Sequence, residues 1–211
     1  VLAAVVEKAG SLDPLSEGLE HLAASESAVN AILETAKTSL SEEPLAAASL
    51  LAAAQLGLAA GRFDEVPPLF QAAFRLAPER AASGLLGWGV ALFEAEQYAE
   101  SAEVLRQGAE LPGVEGERAA VFQYYRAAAL EMAGKTDEAL DAAREAVRLS
   151  EDSAVFHSRV AWIFHHADRK SEAAAAYRAL VDRFDGQHGS PQVRRIVRQS
   201  RMILSNLCLE E

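Results

Sequence analysis

Apolar residues recur every three or four positions along almost the whole chain, which is the period of an amphipathic helix. The pattern is clearest over residues 120–150, where two periodic segments flank a polar break at 134–137. The apolar stripe of the first segment consists of Val121, Tyr124, Tyr125, Ala128 and Met132. Gly134 suits the left-handed residue that ends a helix, and Thr136 or Asp137 can cap the next one. The stretch therefore predicts a helical hairpin.

The same hairpin recurs along the chain at a nearly constant spacing. The residues at the turns between paired helices are Gly61, Glu96, Gly134 and Asp168, separated by 35, 38 and 34 residues. A period near 34 residues in helical hairpins is typical of a solenoid, in which each unit buries its apolar face against its neighbours. We therefore expect an all-α repeat fold.

The chain resembles the tetratricopeptide repeat family, whose pattern combines a W-x2-L-G-x2-Y first helix with an A-x3-F second helix. In two of the clearest units the matching residues are Leu85, Trp88, Gly89, Leu92 and Tyr98, and then Ala127, Leu130, Gly134, Ala139, Ala143 and Ala146. The resemblance implies a right-handed α-α superhelix, a solenoid of about five helical hairpins followed by a C-terminal helix.

The repeat phase divides a single predicted solenoid domain, 1–211, into units. They are a degenerate hairpin at 13–46, repeats at 47–80, 82–115, 120–153 and 154–187, and a basic C-terminal helix at 190–209 that serves as a cap or as half of a further repeat.

Three features depart from the family pattern. Gln123 and Arg126 stand at first-helix positions that are usually apolar, so that helix is rotated or the assigned register slips by one residue. Gly57 replaces an aromatic residue, so we expect a cavity or a close helix contact there. The loop at 111–117 is longer than the repeat requires.

Composition narrows the classes of function. A formal net charge of −11 argues against binding nucleic acid or an anionic membrane surface. The single cysteine, Cys208, allows neither an internal disulfide nor a cysteine-rich zinc site. No apolar run approaches the ~20 residues that span a bilayer. We favour a cytoplasmic location, although the start at Val1 is compatible with a removed targeting segment or an excised fragment.

In the family, the first helix of each pair lines the concave surface. Carried over, this implies a partner-binding surface of Leu51, Gln55, Val90, Tyr124, Tyr125, Glu131, Arg159, Trp162, His165 and His166. Such a mixture of aromatic and polar side chains suits a groove for a peptide or a partner helix. The alternative is that several of these rings pack between repeats.

Two more specific interpretations of this surface are not favoured. Some family members hold acidic chaperone tails with a clamp of lysines, asparagines and an arginine, but only Arg159 stands at such a position here. His157, His165 and His166 lie on one helix without metal-binding spacing, because His157 and His165 are two turns apart. We interpret them as surface or groove histidines, with pH-sensitive binding as the alternative.

The C-terminal helix carries Arg194, Arg195, Arg198 and Arg201 with no acidic residue between 190 and 209. Such a run is usually a solvated helix face, and docking of an acidic partner is the alternative.

The sequence contains no nucleophile elbow or phosphate-binding loop, and it predicts no catalytic residue, cofactor or metal. It therefore predicts a noncatalytic scaffold that binds an unidentified protein or peptide. The alternative is a regulatory or self-assembly domain of a larger polypeptide, associating through the solenoid ends.

Overall fold

The computed structural model describes residues 21–40, 46–186 and 190–207. Residues 13–20 and 41–45 of the predicted degenerate hairpin and residues 208–209 of the predicted C-terminal helix, including Cys208, lie outside these residues. In the described part the regular structure consists of α-helices and two short 3-10 helices, Phe63–Glu65 and Pro78–Arg80, without a strand. The all-α fold class predicted from the sequence is therefore confirmed.

The α-helices follow one another with short connections. They are α1 (Glu26–Ser39), α2 (Ala47–Ala59), α3 (Pro67–Leu76), α4 (Ala81–Glu94), α5 (Tyr98–Ala109), α6 (Gly116–Met132), α7 (Thr136–Leu149), α8 (Ala154–His166), α9 (Lys170–Phe184) and α10 (Pro191–Leu207).

The chain divides into two compact units, the first ending at Gln97 and the second beginning at Tyr98. The first contains α1 to α4 and the second α5 to α10. The division falls between the two helices that the sequence pairs in the repeat at 82–115. That pairing, the repeat boundaries and the single domain stay predictions.

The turns between paired helices share one backbone geometry. Gly61, Glu96, Gly134 and Asp168 all have a positive φ, of 71°, 62°, 76° and 55°. In each turn the N–H of the next residue donates to the carbonyl five residues before it, at 2.8 to 2.9 Å. This arrangement satisfies a terminal carbonyl and reverses the chain. The four residues aligned by sequence spacing therefore end their helices in the same way.

Substitutions at two glycines allow the effect of backbone strain to be measured separately from that of helix propensity. A Cβ added at Gly134 or at Gly87 would have nothing within 4 Å, but only Gly134 has a positive φ. We expect Gly134→Ala to destabilise the protein by about 1–2 kcal/mol, because an L side chain is strained in the left-handed region. Gly87→Ala should stabilise it by about 1 kcal/mol, because alanine favours the helix. Urea unfolding measures both changes in unfolding free energy. Changes of the same sign in the two variants would contradict this interpretation.

The core of the first unit is built from large aliphatic and aromatic side chains. Leu50, Leu56 and Phe70 are almost completely buried, and the Phe70 ring stacks on Trp88 with centroids 4.8 Å apart. A Cβ at Gly57 would lie 2.5 Å from Cγ1 of Val66. Of the two outcomes expected at Gly57, the structure shows the close contact.

A polar network joins α1 to the loop after α2. The Glu65 carboxylate accepts hydrogen bonds from Lys37 and Arg62, and Arg62 Nη1 donates to Asn30 Oδ1 at 3.0 Å. These partners, with the Lys37 hydrogen bond as the largest cause, lower the pKa of Glu65 below the ordinary 4.5. The network therefore favours the ionised carboxylate in the folded protein.

Because the pKa of Glu65 is lowered in the folded protein, the stability that this network contributes depends on pH. A carboxyl whose pKa is lowered by folding adds stability above its unfolded pKa and loses it as the pH falls through the folded value. We expect Glu65→Gln to cost about 0.5–1 kcal/mol at pH 7, since the carboxylate is partly solvated, and less at pH 3. Urea unfolding at both values tests this. A cost that is the same at pH 3 and pH 7 would contradict it.

The second unit has an alanine-rich core. The family-matched residues Ala127, Leu130, Ala139, Ala143 and Ala146 are all at most 3% exposed. Small side chains at these positions let α6 and α7 pack closely.

The predicted apolar stripe of α6 is wrong in part. Met132 is 54% exposed, whereas Phe122, outside the stripe, is 1% exposed. Phe122 is buried against α5, where Gly108 has no Cβ and the Phe122 ring occupies that space. Gln123 and Arg126 are half-buried, and Arg126 Nη1 donates to Gln123 Oε1 at 3.3 Å. The family-matched alanines are buried, and the exact register of this repeat stays a prediction.

The last helix packs as a first helix would. Helix α10 contacts α9 and α8, as α8 contacts α7 and α6. Its buried side chains are Val197, Ser200 and Leu207. Helices α6, α8 and α10 thus follow one another on one side of the second unit.

Candidate functional site

A pocket of about 510 Å³ lies where the first helices of the second unit meet. Helices α6, α8 and α10 provide most of its walls, and α9 contributes one tyrosine. The lining residues are Tyr124, Ser158, Arg159, Trp162, Tyr177, Ile196, Gln199, Ser200, Met202, Ile203 and Asn206.

Arg159 is the centre of the polar contacts in this pocket. Its Nη1 lies 3.2 Å from Glu131 Oε2, and its Nη2 donates to the Tyr124 hydroxyl at 3.1 Å. The guanidinium carbon also lies 4.8 Å from the centroid of the Tyr124 ring, within cation–π range. Because Arg159 and Glu131 are both mostly buried, these contacts fix the guanidinium and join α8 to α6.

Two residues that line the pocket each have a buried hydrogen-bond donor without a partner among the described residues. These donors are Nε of Arg159 and the hydroxyl of Tyr177. Tyr177 as a whole is 2% exposed. Burial, with a smaller contribution from the Glu131 charge, raises the pKa of Tyr177 to about 12, so the phenol keeps its proton. A buried donor without an acceptor is costly, so both atoms favour a ligand that accepts hydrogen bonds.

Aromatic side chains form the rim of the pocket. Trp162 is 44% exposed, and its ring centroid lies 3.9 Å from that of His166. His166 Nδ1 lies 3.0 Å from the Trp162 carbonyl oxygen and 3.8 Å from Glu131 Oε1. His165 meets the Tyr177 ring edge-on at 6.1 Å. The tryptophan therefore offers a large apolar surface that its neighbours hold in place.

The structure brings most of the predicted second-unit surface together. Tyr124, Arg159 and Trp162 line the pocket, and Glu131 and His166 contact these residues. Tyr125 packs edge-on against Tyr124 with centroids 5.3 Å apart and does not line the pocket.

The sequence analysis did not include the wall contributed by α9 and α10 in the site. Tyr177 lies in the second helix of the predicted repeat at 154–187, whereas the resemblance assigns the binding surface to first helices. Ile196 and Ile203 lie on the basic helix, where the arginines dominate the pattern. The sequence of α10 could have indicated this wall, since Ile196, the buried Ser200 and Ile203 recur at helical spacing and share one face.

The predicted residues of the first unit are more dispersed. Gln55 lines a separate pocket of about 590 Å³, whose aromatic residues are Phe63, Phe70 and Trp88. Leu51 packs against the core, and Val90 is half-buried without lining this pocket. Trp88 Nε1 is buried there without a hydrogen-bond partner among the described residues.

The four arginines of α10 are all exposed. Arg201 pairs with Asp185. Arg195 shares a helical stripe with the pocket residues Gln199 and Met202, at i, i+4 and i+7. Neither Arg195 nor Arg198 forms an ion pair within the described part of the chain, and both are within one helical turn of the pocket residue Gln199.

Within residues 21–40, 46–186 and 190–207, no three His, Cys, Asp or Glu side chains are placed to ligate a metal ion. His157 instead has Nε2 2.9 Å from the Glu151 carbonyl oxygen and its ring edge-on to Phe184. Among the helices of the described part, none is both long and apolar enough to cross a membrane.

Comparison with solved structures identifies the fold as that of tetratricopeptide repeat proteins. MamA (41-end) from Desulfovibrio magneticus RS-1 matches with a TM-score of 0.54 at 16% identity, covering 85% of this chain and 99% of that one. PilF of Pseudomonas aeruginosa matches with a TM-score of 0.50 at 15% identity, covering 86% of this chain and 89% of that one. TTC0263, a TPR protein of Thermus thermophilus, matches with a TM-score of 0.50 at 16% identity, covering 83% of this chain and 92% of that one.

No protein-family profile and no curated protein sequence matches the chain. At identities this low, the structural likeness establishes the fold alone, and the resemblance inferred from the sequence is confirmed at that level.

Proposed function

We propose that this protein is a noncatalytic interaction scaffold that binds a peptide or a partner helix on the surface formed by its first helices. The observation that carries the proposal is the second-unit pocket, where exposed Trp162 stands beside the fixed guanidinium of Arg159. Concave sites with aromatic anchors and a few placed polar groups are typical of binding surfaces.

The fold supports this proposal. Stacked helical hairpins leave an extended surface that short connections do not obstruct, and repeat proteins use such surfaces for binding. Three successive first-helix positions, on α6, α8 and α10, contribute side chains to the same pocket.

The test begins with selection of peptides. A displayed library of random dodecapeptides is selected on the full chain, and the enriched peptides are synthesised and measured by fluorescence anisotropy. Because a tryptophan at the centre of a contact often dominates its energy, we expect Trp162→Ala to weaken binding about tenfold or more. Met132→Ala is the matched control, since Met132 is exposed in the same unit but does not line the pocket.

Folding and binding are separated by thermal unfolding of both variants. Trp162 is too exposed to support the core, so both should melt near the parent temperature. Enriched peptides that bind Trp162→Ala as tightly as the parent would reject the pocket as the binding surface.

A second candidate is self-association through the solenoid ends. It is supported by α10, which packs as a first helix yet leaves Met202 63% exposed, one turn from Arg198, which has no ion-pair partner among the described residues. Multi-angle light scattering over a concentration series tests it. A mass that stays at one chain throughout the series would reject self-association.

A further inference from the structure

Resting on the proposed function, we infer that the second-unit pocket recognises an acidic peptide segment. In this interaction a ligand side-chain carboxylate accepts hydrogen bonds from Arg159 Nε and the Tyr177 hydroxyl, and apolar ligand residues next to it pack on Trp162 and α10.

The chemistry of the unpaired groups selects an acceptor. Nη1 and Nη2 of Arg159 already meet Glu131 and Tyr124, and Nε is the guanidinium nitrogen that has no partner among the described residues. Nε can only donate, and Tyr177, whose phenol remains protonated, has a hydrogen to donate. A ligand amide N–H would leave Nε unsatisfied, whereas a carboxylate can accept from both groups.

The charge at the edge of the pocket selects a negative ligand. Glu131 balances Arg159, so the extra positive charge comes from α10. Arg195 and Arg198 form no ion pair with the described residues, and α10 contains no acidic residue over 191–207. Since the rest of the chain is acidic, this edge is a local exception that an acidic peptide can use.

The remaining walls require apolar neighbours on the ligand. Apolar surface is contributed to the same pocket by Trp162, Ile196, Met202 and Ile203. Gln199 and Asn206 add amides that can bond to a peptide backbone. From 195 to 206 the helix rises by about 16 Å, which matches about five residues of extended peptide.

The pocket of the first unit does not fit the same ligand. It is lined by Phe63, Phe70 and Trp88, contains Glu94 and has no lysine or arginine in its lining. An acidic segment is therefore expected to bind the second unit only.

The test uses the dodecapeptides selected on the full chain. We expect the enriched sequences to share an Asp or Glu between large apolar residues, and replacement of that acid by its amide to weaken binding about tenfold or more. Tyr177→Phe removes only the hydroxyl and should weaken the acidic peptides about fivefold to tenfold. Tyr125→Phe is the control, because Tyr125 lies outside the pocket.

Two further measurements exclude a merely structural effect. Tyr177→Phe removes a buried hydroxyl without a partner among the described residues, so its melting temperature should equal or exceed that of the parent. The double variant Arg195→Gln, Arg198→Gln should reduce the salt dependence of binding, since it removes two exposed charges.

The outcomes distinguish the two proposals. Neutral enriched peptides that still require Trp162, or acidic peptides that bind Tyr177→Phe as tightly as the parent, would overturn the acidic recognition and leave the scaffold proposal standing. Failure to enrich any peptide that depends on Trp162 would overturn both.

Discussion

Replacing Phe122 with alanine will destabilise the second unit by about 3–5 kcal/mol. The side chain is 1% exposed, and its ring fills the space that Gly108 leaves on α5. Removing the ring leaves a cavity between α5 and α6.

Urea unfolding followed by circular dichroism measures this cost. Met132→Ala is the control, since Met132 is on the same helix but 54% exposed, and its cost should stay within about 0.5 kcal/mol. A cost below about 1 kcal/mol for Phe122→Ala would show that Phe122 is not the main contact between these helices.

The second large effect is expected when a methyl group is added at Gly108, the residue of α5 that faces the Phe122 ring. A Cβ at Gly108 would lie 2.1 Å from Cε1 of Phe122, which is far inside van der Waals contact. Relief requires the ring to leave its position or the helices to separate, so we expect Gly108→Ala to cost about 1–3 kcal/mol.

The two effects are coupled, and a double-mutant cycle measures the coupling. A shorter side chain at residue 122 makes room for the methyl group, so Gly108→Ala should cost less in Phe122→Leu than in the parent. Unfolding free energies of the four proteins give the result. Costs that simply add would mean that the methyl group and the ring do not compete for the same space.

The turns were predictable because local chemistry determines them. A helix that reverses through a left-handed residue needs glycine or a residue that tolerates a positive φ, and the repeat spacing locates Glu96 and Asp168 where glycine is missing. The buried alanines of α6 and α7 were predictable for a related reason, since the repeat pattern itself encodes close helix packing.

The buried face of α6 was not predictable from that helix alone. Helical period favours Met132 and leaves out Phe122, yet Met132 is 54% exposed and the Phe122 ring is buried against Gly108 on another helix. Burial here depends on the partner surface, which the hydrophobic pattern of one helix does not contain.

The candidate site was also predictable only in part. Tyr124, Arg159 and Trp162 follow from the family rule that first helices line the surface. Tyr177 and the α10 wall depend on how α9 and α10 pack, and the unpaired state of the Arg159 Nε follows only once Glu131 and Tyr124 occupy its other nitrogens.

The two tryptophans allow the most direct test of the binding surface. Trp88 lines the pocket of the first unit and Trp162 that of the second, and no other tryptophan is present in the sequence. In the ¹⁵N-labelled protein, each indole N–H gives its own signal during titration with a selected acidic peptide. We predict a saturable shift of the Trp162 signal with the Trp88 signal unchanged. A shift at Trp88 alone, or no shift at Trp162 at saturating peptide, would contradict binding at the second-unit pocket.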